Sequence, residues 1–248
     1  MDTREDTVIR EPGFSFVVPA YNEAARLART LPVIRERLPD LVAGRRAEIL
    51  VVDDGSSDAT ADTATRLLDG FPGRVVSYRT NRGKGHALIR GMLAARGAVR
   101  LFSDADLSTP LDEIPRFLAA HDAGADVVIG SRKRPGANVE RHQPPTRESL
   151  GKVFTALANV LVLSGVSDFT CGFKSFTAPA AERIFSELTA WDWSFDVEAL
   201  WLARKHGFRL REVPVTWRND PQTKVHLKRD ILRSFAGLLR IVRRRHGP

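Results

Sequence analysis

The stretch Leu101-Phe102-Ser103-Asp104-Ala105-Asp106-Leu107-Ser108-Thr109-Pro110 decides how the chain folds and where its chemistry lies. The apolar run that leads into it, Ala98-Val99-Arg100-Leu101-Phe102, predicts a buried strand. Two acids one residue apart follow, in a turn closed by Pro110. Such carboxylates repel when bare, and become favourable when a divalent cation sits between them and a third, negatively charged group. Mg²⁺ and Mn²⁺ are commonly held by one or two carboxylates plus substrate phosphates, which makes a diphosphate the natural third party. The alternative is an Asp-rich turn that caps a helix starting near Leu111.

Outward from this stretch, short apolar runs predict strands over 14–18 (stopped by Pro19), 48–52, 74–78, 126–130 and 208–215. Helical spacing predicts helices over 24–38, with Asn22 as N-cap, and over 60–68, 111–122, 147–163 and 196–205. Further helices open at Gly83-Lys84-Gly85 and at Pro179. Strands alternate with helices, and several strands are apolar throughout. That pattern gives an α/β fold with a mostly parallel sheet covered on both faces. Ligands of such sheets bind beyond the carboxyl ends of the strands. Three strand ends carry polar loops: Pro19-Ala20-Tyr21-Asn22-Glu23, Asp53-Asp54-Gly55-Ser56 and Asp104-Ala105-Asp106. A carboxylate after the second strand can accept from a nucleobase or ribose, and equally can close an Asp-Gly turn. Gly83-Lys84-Gly85 offers helix N-terminal N–H groups to an anion, or serves close packing.

A basic, aperiodic loop runs from Gly130 to Pro145. The tail, 224–248, is a basic amphipathic helix: Leu227, Ile231, Phe235, Leu238 and Val242 share one face, and Lys228, Arg233, Arg240, Arg243 and Arg244 lie mostly on the other. It suits an anionic membrane surface, or packs its apolar face on the domain. Residues 1–12 are expected to be disordered, 13–223 to form the main domain. The 248 residues carry a net charge of +8, placed mainly in the tail and the basic loop. Aromatic and basic residues are not interleaved, so nucleic acid is not an expected partner. Cys171 is the only cysteine, which excludes an internal disulfide and fits a reducing compartment. Met1 to Pro12 lacks an apolar signal core, and no apolar run is long enough to span a membrane.

The motifs Phe16-Val17-Val18-Pro19-Ala20-Tyr21-Asn22-Glu23, Val51-Val52-Asp53-Asp54-Gly55-Ser56-Ser57-Asp58, Asn81-Arg82-Gly83-Lys84-Gly85 and Asp104-Ala105-Asp106, in this order, resemble family 2 glycosyltransferases of GT-A fold. Gly130-Ser131-Arg132, Asp168-Phe169-Thr170-Cys171-Gly172-Phe173-Lys174 and Phe195-Asp196-Val197-Glu198 resemble the polyprenyl-phosphate (dolichyl-phosphate) branch, and Ser108 is more like its glucosyl than its mannosyl members. The resemblance implies that Pro19, Tyr21, Glu23 and Asp54 line the base and ribose. It implies that Lys84 binds the nucleotide sugar, that Lys224 helps on the diphosphate side, and that Asp104 and Asp106 hold the diphosphate through Mg²⁺ or Mn²⁺, with Asp106 the direct ligand. Arg132 and Arg147 would bind the acceptor phosphate. The expected reaction is an inverting transfer of a hexose from UDP-glucose or GDP-mannose to polyprenyl phosphate, at the cytoplasmic face of the membrane, with 225–244 as peripheral attachment. A phosphate acceptor needs no general base. A hydroxyl acceptor would need one, with Asp196 and Glu198 the candidates unless they cap and orient the helix 196–205; Asp168 is open in the same way.

Overall fold

Alternate residues of the strands divide the core into two layers, as the period of two requires. Val17, Phe102, Val127 and Ile129 point to one side of the sheet, and Phe16, Val18, Leu101 and Val128 to the other. The computed structural model describes residues 12–221 and 227–246, the last helix by backbone alone at 227–233 and 245–246. The disordered segment expected over 1–12 (Pro12 apart) and Lys224 lie outside the described residues.

The strands are β1 (Phe14–Ala20), β2 (Ala47–Asp53), β3 (Gly73–Ser77), β4 (Val99–Ser103), β5 (Val127–Ser131), β6 (Asn138–Arg141), β7 (Phe173–Thr177), β8 (Leu210–Pro214) and β9 (Thr216–Arg218). The helices are α1 (Ala24–Leu41), α2 (Thr60–Leu68), α3 (Lys84–Ala94), α4 (Ile114–Asp122), α5 (Pro145–Leu161), α6 (Ala178–Glu187), α7 (Phe195–Lys205) and α8 (Leu227–His246). Seven strands form one sheet in the order β3-β2-β1-β4-β7-β5-β8. Every pairing is parallel except the two made by β7, which runs antiparallel between β4 and β5. The α/β expectation is met. Packing of Leu27, Leu31, Ile34, Ala64 and Phe117 covers one face, and of Leu88, Met92, Ile184 and Phe185 the other.

The basic loop is less irregular than its composition predicts. Within it, β6 pairs in parallel with β9 as a small two-stranded sheet. Asn-Val-Glu-Arg and Thr-Trp-Arg are too short and too polar for a periodicity to register. Asn22 does not cap α1: its φ is +53° and its side-chain oxygen accepts from the Ser57 amide at 2.8 Å. The helix expected from 111 begins as a 3-10 turn, Leu111–Glu113, before α4, with Pro115 inside α4's first turn.

The tail packs on the domain. Leu238 and Ile241 are buried in the core, and Phe235 and Val242 lie against it. Phe235 meets Phe154 of α5 edge-on, ring centroids 6.1 Å apart. No helix among the described residues is long and apolar enough to cross a membrane.

Candidate active site

The ends of β1, β2 and β4 open into one cleft of ≈ 1080 Å³. Pro19, Tyr21, Glu23, Asp54, Lys84, Asp104, Asp106, Arg132 and Arg147 all line it. Of the residues expected in the site, Lys224 alone is missing, because it lies outside the described residues.

Asp104 and Asp106 do not cap the following helix; the 3-10 turn has no side-chain cap. The Asp104 amide donates to Gly172 O at 3.3 Å, and the Ser108 amide donates to Asp106 Oδ1 at 2.9 Å. A Cβ on Gly172 would run into the Asp104 carboxylate, so the glycine leaves that carboxylate its present position. Burial, and then the charge of Asp104, raise the pKa of Asp106. No third acid, histidine or cysteine joins the pair among the described residues. Two carboxylates on an open cleft fit Mg²⁺ or Mn²⁺ that takes its remaining ligands from phosphate and water. They do not fit a closed structural zinc site.

Lys84, the first residue of α3, reaches Asp104 Oδ1 at 2.5 Å. Its ammonium stands 5.1 Å above the Trp193 ring and 5.8 Å above that of Phe195. Burial opposes its charge, but the Asp104 and Asp196 carboxylates outweigh that and raise its pKa. Two of the N–H groups at this helix start already have acceptors. Gly83 N–H donates to Asp54, and Gly85 N–H to Trp191 O. Gly83 has φ +101° and lies against Trp191 O, so close packing accounts for the glycines.

Asp54 is buried in the cleft floor. Its carboxylate accepts from Tyr78 Oη at 2.6 Å, Asn81 Nδ2 at 2.9 Å, Arg82 N at 2.9 Å and Gly83 N at 2.8 Å. It therefore ties the 81–83 loop to β2. Glu23 accepts from Arg26 Nη1 at 2.5 Å, and Arg26 also reaches Asp220 at 3.1 Å. Tyr21 is exposed at the cleft edge.

Arg132 is held rigidly. Its Nε and Nη2 donate to the two oxygens of Asp168 at 2.7 and 2.8 Å, and Nη2 also donates to Thr170 Oγ1 at 2.9 Å. Its guanidinium lies 5.2 Å from the centre of the Trp217 ring. Asp168 is fully buried; burial alone would raise its pKa, but Arg132 holds its carboxyl well below the usual range. Arg147, at the start of α5, has its pKa lowered by burial and by the neighbouring charge of Arg132. The charges of Arg132, itself paired with Asp168, and of Arg147 therefore act on one another across this end of the cleft.

Both arginines also line a second groove, of ≈ 280 Å³, continuous with the first. Its walls include Val139, Leu150, Phe154, Trp193, Trp217 and Phe235. The polar cleft therefore opens into an apolar groove across a pair of arginines.

Asp196 and Glu198 do not cap α7, whose N-cap makes no side-chain bond. Asp196 is buried against Lys174, 2.5 Å away. Glu198 accepts from the Thr189 and Ala190 amides at 3.0 and 2.6 Å and pairs with Arg244 of α8. Trp191, Trp193 and Trp217 line the cleft and were not singled out from the sequence. Two tryptophans in three residues of turn-rich sequence were the available signal.

A model of glycosyl transferase family 2 matches residues 15–185. The glycosyltransferase AglD of Haloferax volcanii is 34% identical over 229 residues, covering 91% of this chain and 36% of AglD. The dolichyl-phosphate beta-glucosyltransferase of Dictyostelium discoideum is 34% identical over 241 residues, 88% of this chain and 72% of its own length. The polyprenol monophosphomannose synthase of Mycolicibacterium smegmatis is 36% identical over 213 residues, 81% of this chain and 76% of its own. The chain thus spans about a third of one relative and about three quarters of the other two. Among solved structures, glucosyl-3-phosphoglycerate synthase from Mycobacterium tuberculosis, in complex with Mn²⁺, UDP-glucose and phosphoglyceric acid, superposes with a TM-score of 0.64 at 22% identity, over 93% of this chain and 80% of that one. The order of strand-end loops around the cleft, the family match and these relatives lead to one conclusion: the chain belongs to glycosyl transferase family 2 and is a glycosyltransferase of GT-A fold.

Proposed function

We propose that this chain transfers a hexose, with glucose favoured, from a nucleotide sugar to a polyprenyl phosphate. The observation that carries the reading is the placing of Arg132 and Arg147 where the polar cleft meets the apolar groove. A phosphate carried on an isoprenoid chain matches that junction: anion on the arginines, hydrocarbon along Leu150, Phe154 and Phe235. The named activities of the Dictyostelium and Mycolicibacterium relatives support the same acceptor class. UDP-glucose is the favoured donor and GDP-mannose the alternative.

The base and ribose lie along Pro19, Tyr21, Glu23 and the loop that Asp54 ties down. Asp104 and Asp106 hold Mg²⁺ or Mn²⁺, whose contribution is to neutralise charge on the departing diphosphate. Lys84 adds a fixed positive charge on the same side. Arg132, preset by Asp168, and Arg147 hold the acceptor phosphate against the opposite face of the sugar. An ionised phosphate oxygen forms a bond to the anomeric carbon as the bond to the diphosphate breaks. The electron pair leaves with the nucleoside diphosphate, and the configuration inverts. No proton has to be removed, consistent with Asp196 and Glu198 being committed to Lys174 and Arg244. Neither Asp196 nor Glu198 is then available as the base that a hydroxyl acceptor would need. Membrane contact is peripheral and on the cytoplasmic side in this proposal. Because Phe235, Leu238, Ile241 and Val242 of α8 are turned inward, exposed Val153 and Val160 of α5 supply an additional apolar contact.

Release of UDP or GDP from a panel of nucleotide sugars, with and without a short polyprenyl phosphate and Mn²⁺, tests the reading. Release that requires both additions supports it; release indifferent to the lipid phosphate sinks it.

A further inference from the structure

The loop between α6 and α7 carries Trp191, Asp192 and Trp193, and all three line the cleft. The loop has no regular secondary structure, so side-chain and tertiary contacts must hold it. On one side it rests on α3, where Gly85 N–H donates to Trp191 O at 3.1 Å. On the other side it meets α8.

That second contact is specific. Arg240 of α8 pairs with Asp192 Oδ2. The other oxygen of Asp192 accepts from the Ser194 amide at 2.9 Å and its hydroxyl at 2.5 Å. One carboxylate thereby joins the terminal helix to the loop's own turn. At Gly237 there is no space for a side chain: a Cβ would lie 2.5 Å from Ser194 Cβ and 3.0 Å from Asp192 Oδ1. One turn after Arg240, Arg244 pairs with Glu198 and donates to Glu187 O at 2.9 Å. Positions 237, 240 and 244 share one helical face. Burial of Leu238 and Ile241 anchors the same stretch of the helix. Anchoring alone does not account for a glycine and an arginine set against a pocket loop.

We propose that Arg240 is a positioning residue of the active site: through Asp192 it fixes the Trp191–Ser194 loop against the cleft. The route to the chemistry is short. Trp193 lies under the ammonium of Lys84, and Lys84 pairs with Asp104. A loop displaced by about 1 Å disturbs the side of the cleft that holds the diphosphate, and such shifts cost up to about 100-fold in rate. The C-terminal helix is then a wall of the site as well as a surface element. This rests on the reading that the cleft takes a nucleotide sugar.

The test uses the full chain with the variants R240A, R240K, G237A and, as a control for charge, R243A at an exposed position of the same helix. Hydrogen exchange over 190–194 reads the clamp without any ligand. Binding of UDP-glucose and GDP-mannose with Mn²⁺ reads its effect on the site. The expected result is faster exchange in 190–194 and about tenfold weaker donor binding in R240A, with a melting temperature near wild type, and the same two changes with a lower melting temperature in G237A, where the added Cβ meets Ser194. R240K recovers most of the affinity, and R243A changes neither readout. Arg240 itself lines the cleft, so exchange decides: unchanged exchange over 190–194 in R240A overturns the clamp even where affinity falls, as does an equal loss in R243A. A wild-type chain that binds neither nucleotide sugar overturns the donor reading and with it the proposed role, while the exchange data still report the clamp separately.

Discussion

Lys84 Nζ lies 2.5 Å from Asp104 Oδ1, so the first residue of α3 sets a positive charge on the acidic pair at the end of β4. Neither residue is near the other in sequence; the parallel crossover from α3 to β4 brings them together. Replacing Lys84 by Met keeps the stem and removes the charge. K84M is expected to bind the nucleotide sugar about tenfold more weakly, since one charge-assisted contact is lost. Calorimetric titration of UDP-glucose in the presence of Mn²⁺ measures it.

Asp106 trades stability for function. Burial and Asp104 raise its pKa above the ordinary 3.8. An acid whose folded pKa lies above its unfolded value stabilises the fold below the unfolded pKa, and that stability is lost as pH rises through the folded one. D106N is therefore expected to melt higher than wild type at pH 7, with the gain vanishing near pH 3. The same variant is expected to lose at least about 100-fold in metal-dependent turnover. Melting curves at the two pH values and a nucleotide-release assay report both effects.

Arg132 and Asp168 form a buried bidentate pair, and removing one partner strands the other. D168N is expected to cost about 3 kcal/mol of stability. It is also expected to raise KM for the acceptor phosphate more than KM for the donor. Asp168 has a depressed pKa, so its contribution is present above the ordinary value of 3.8 and is lost as pH falls below it. Denaturant titrations of wild type and D168N should accordingly converge towards low pH. R132K keeps the charge but loses the fork, and a large rise in acceptor KM is expected for it too.

Asp196 and Glu198 separate the two classes of acceptor. Glu198 is buried and paired with Arg244, so E198Q is expected to lower the melting temperature, whereas burial raises the Asp196 pKa in spite of Lys174, and D196N is read by its pH profile alone. In the surviving folded fraction, the pH dependence of kcat should match wild type. Loss of the acidic limb, the fall in rate as pH drops through the base's pKa, in either variant would identify a general base and favour a hydroxyl acceptor.

The central β-α alternation was legible in the sequence because its strands are apolar on both faces and bounded by Pro, Asp or Gly. The cleft was legible because its acids and Lys84 sit at strand ends and helix starts, which sequence order fixes. The β6–β9 pair was not, since Asn138–Arg141 has one half-buried residue among exposed ones and no alternation to read. The antiparallel insertion of β7 was equally hidden: Phe173–Thr177 looks the same in either direction. Asn22 fits an N-cap by residue type, yet a contact to Ser57, distant in sequence, took its side chain. The pairing of Arg240 with Asp192 joins residues 48 apart and has no local signature.

The acceptor distinguishes the proposed reaction from its alternatives. The direct measurement is product identification after incubating the chain with labelled UDP-glucose, Mn²⁺ and equal amounts of a short polyprenyl phosphate and 3-phosphoglycerate. The prediction is label in an organic-soluble glucosyl phosphate lipid, lost in R132A. Label confined to a water-soluble glucosyl product, with the polyprenyl phosphate returned unchanged, would contradict it.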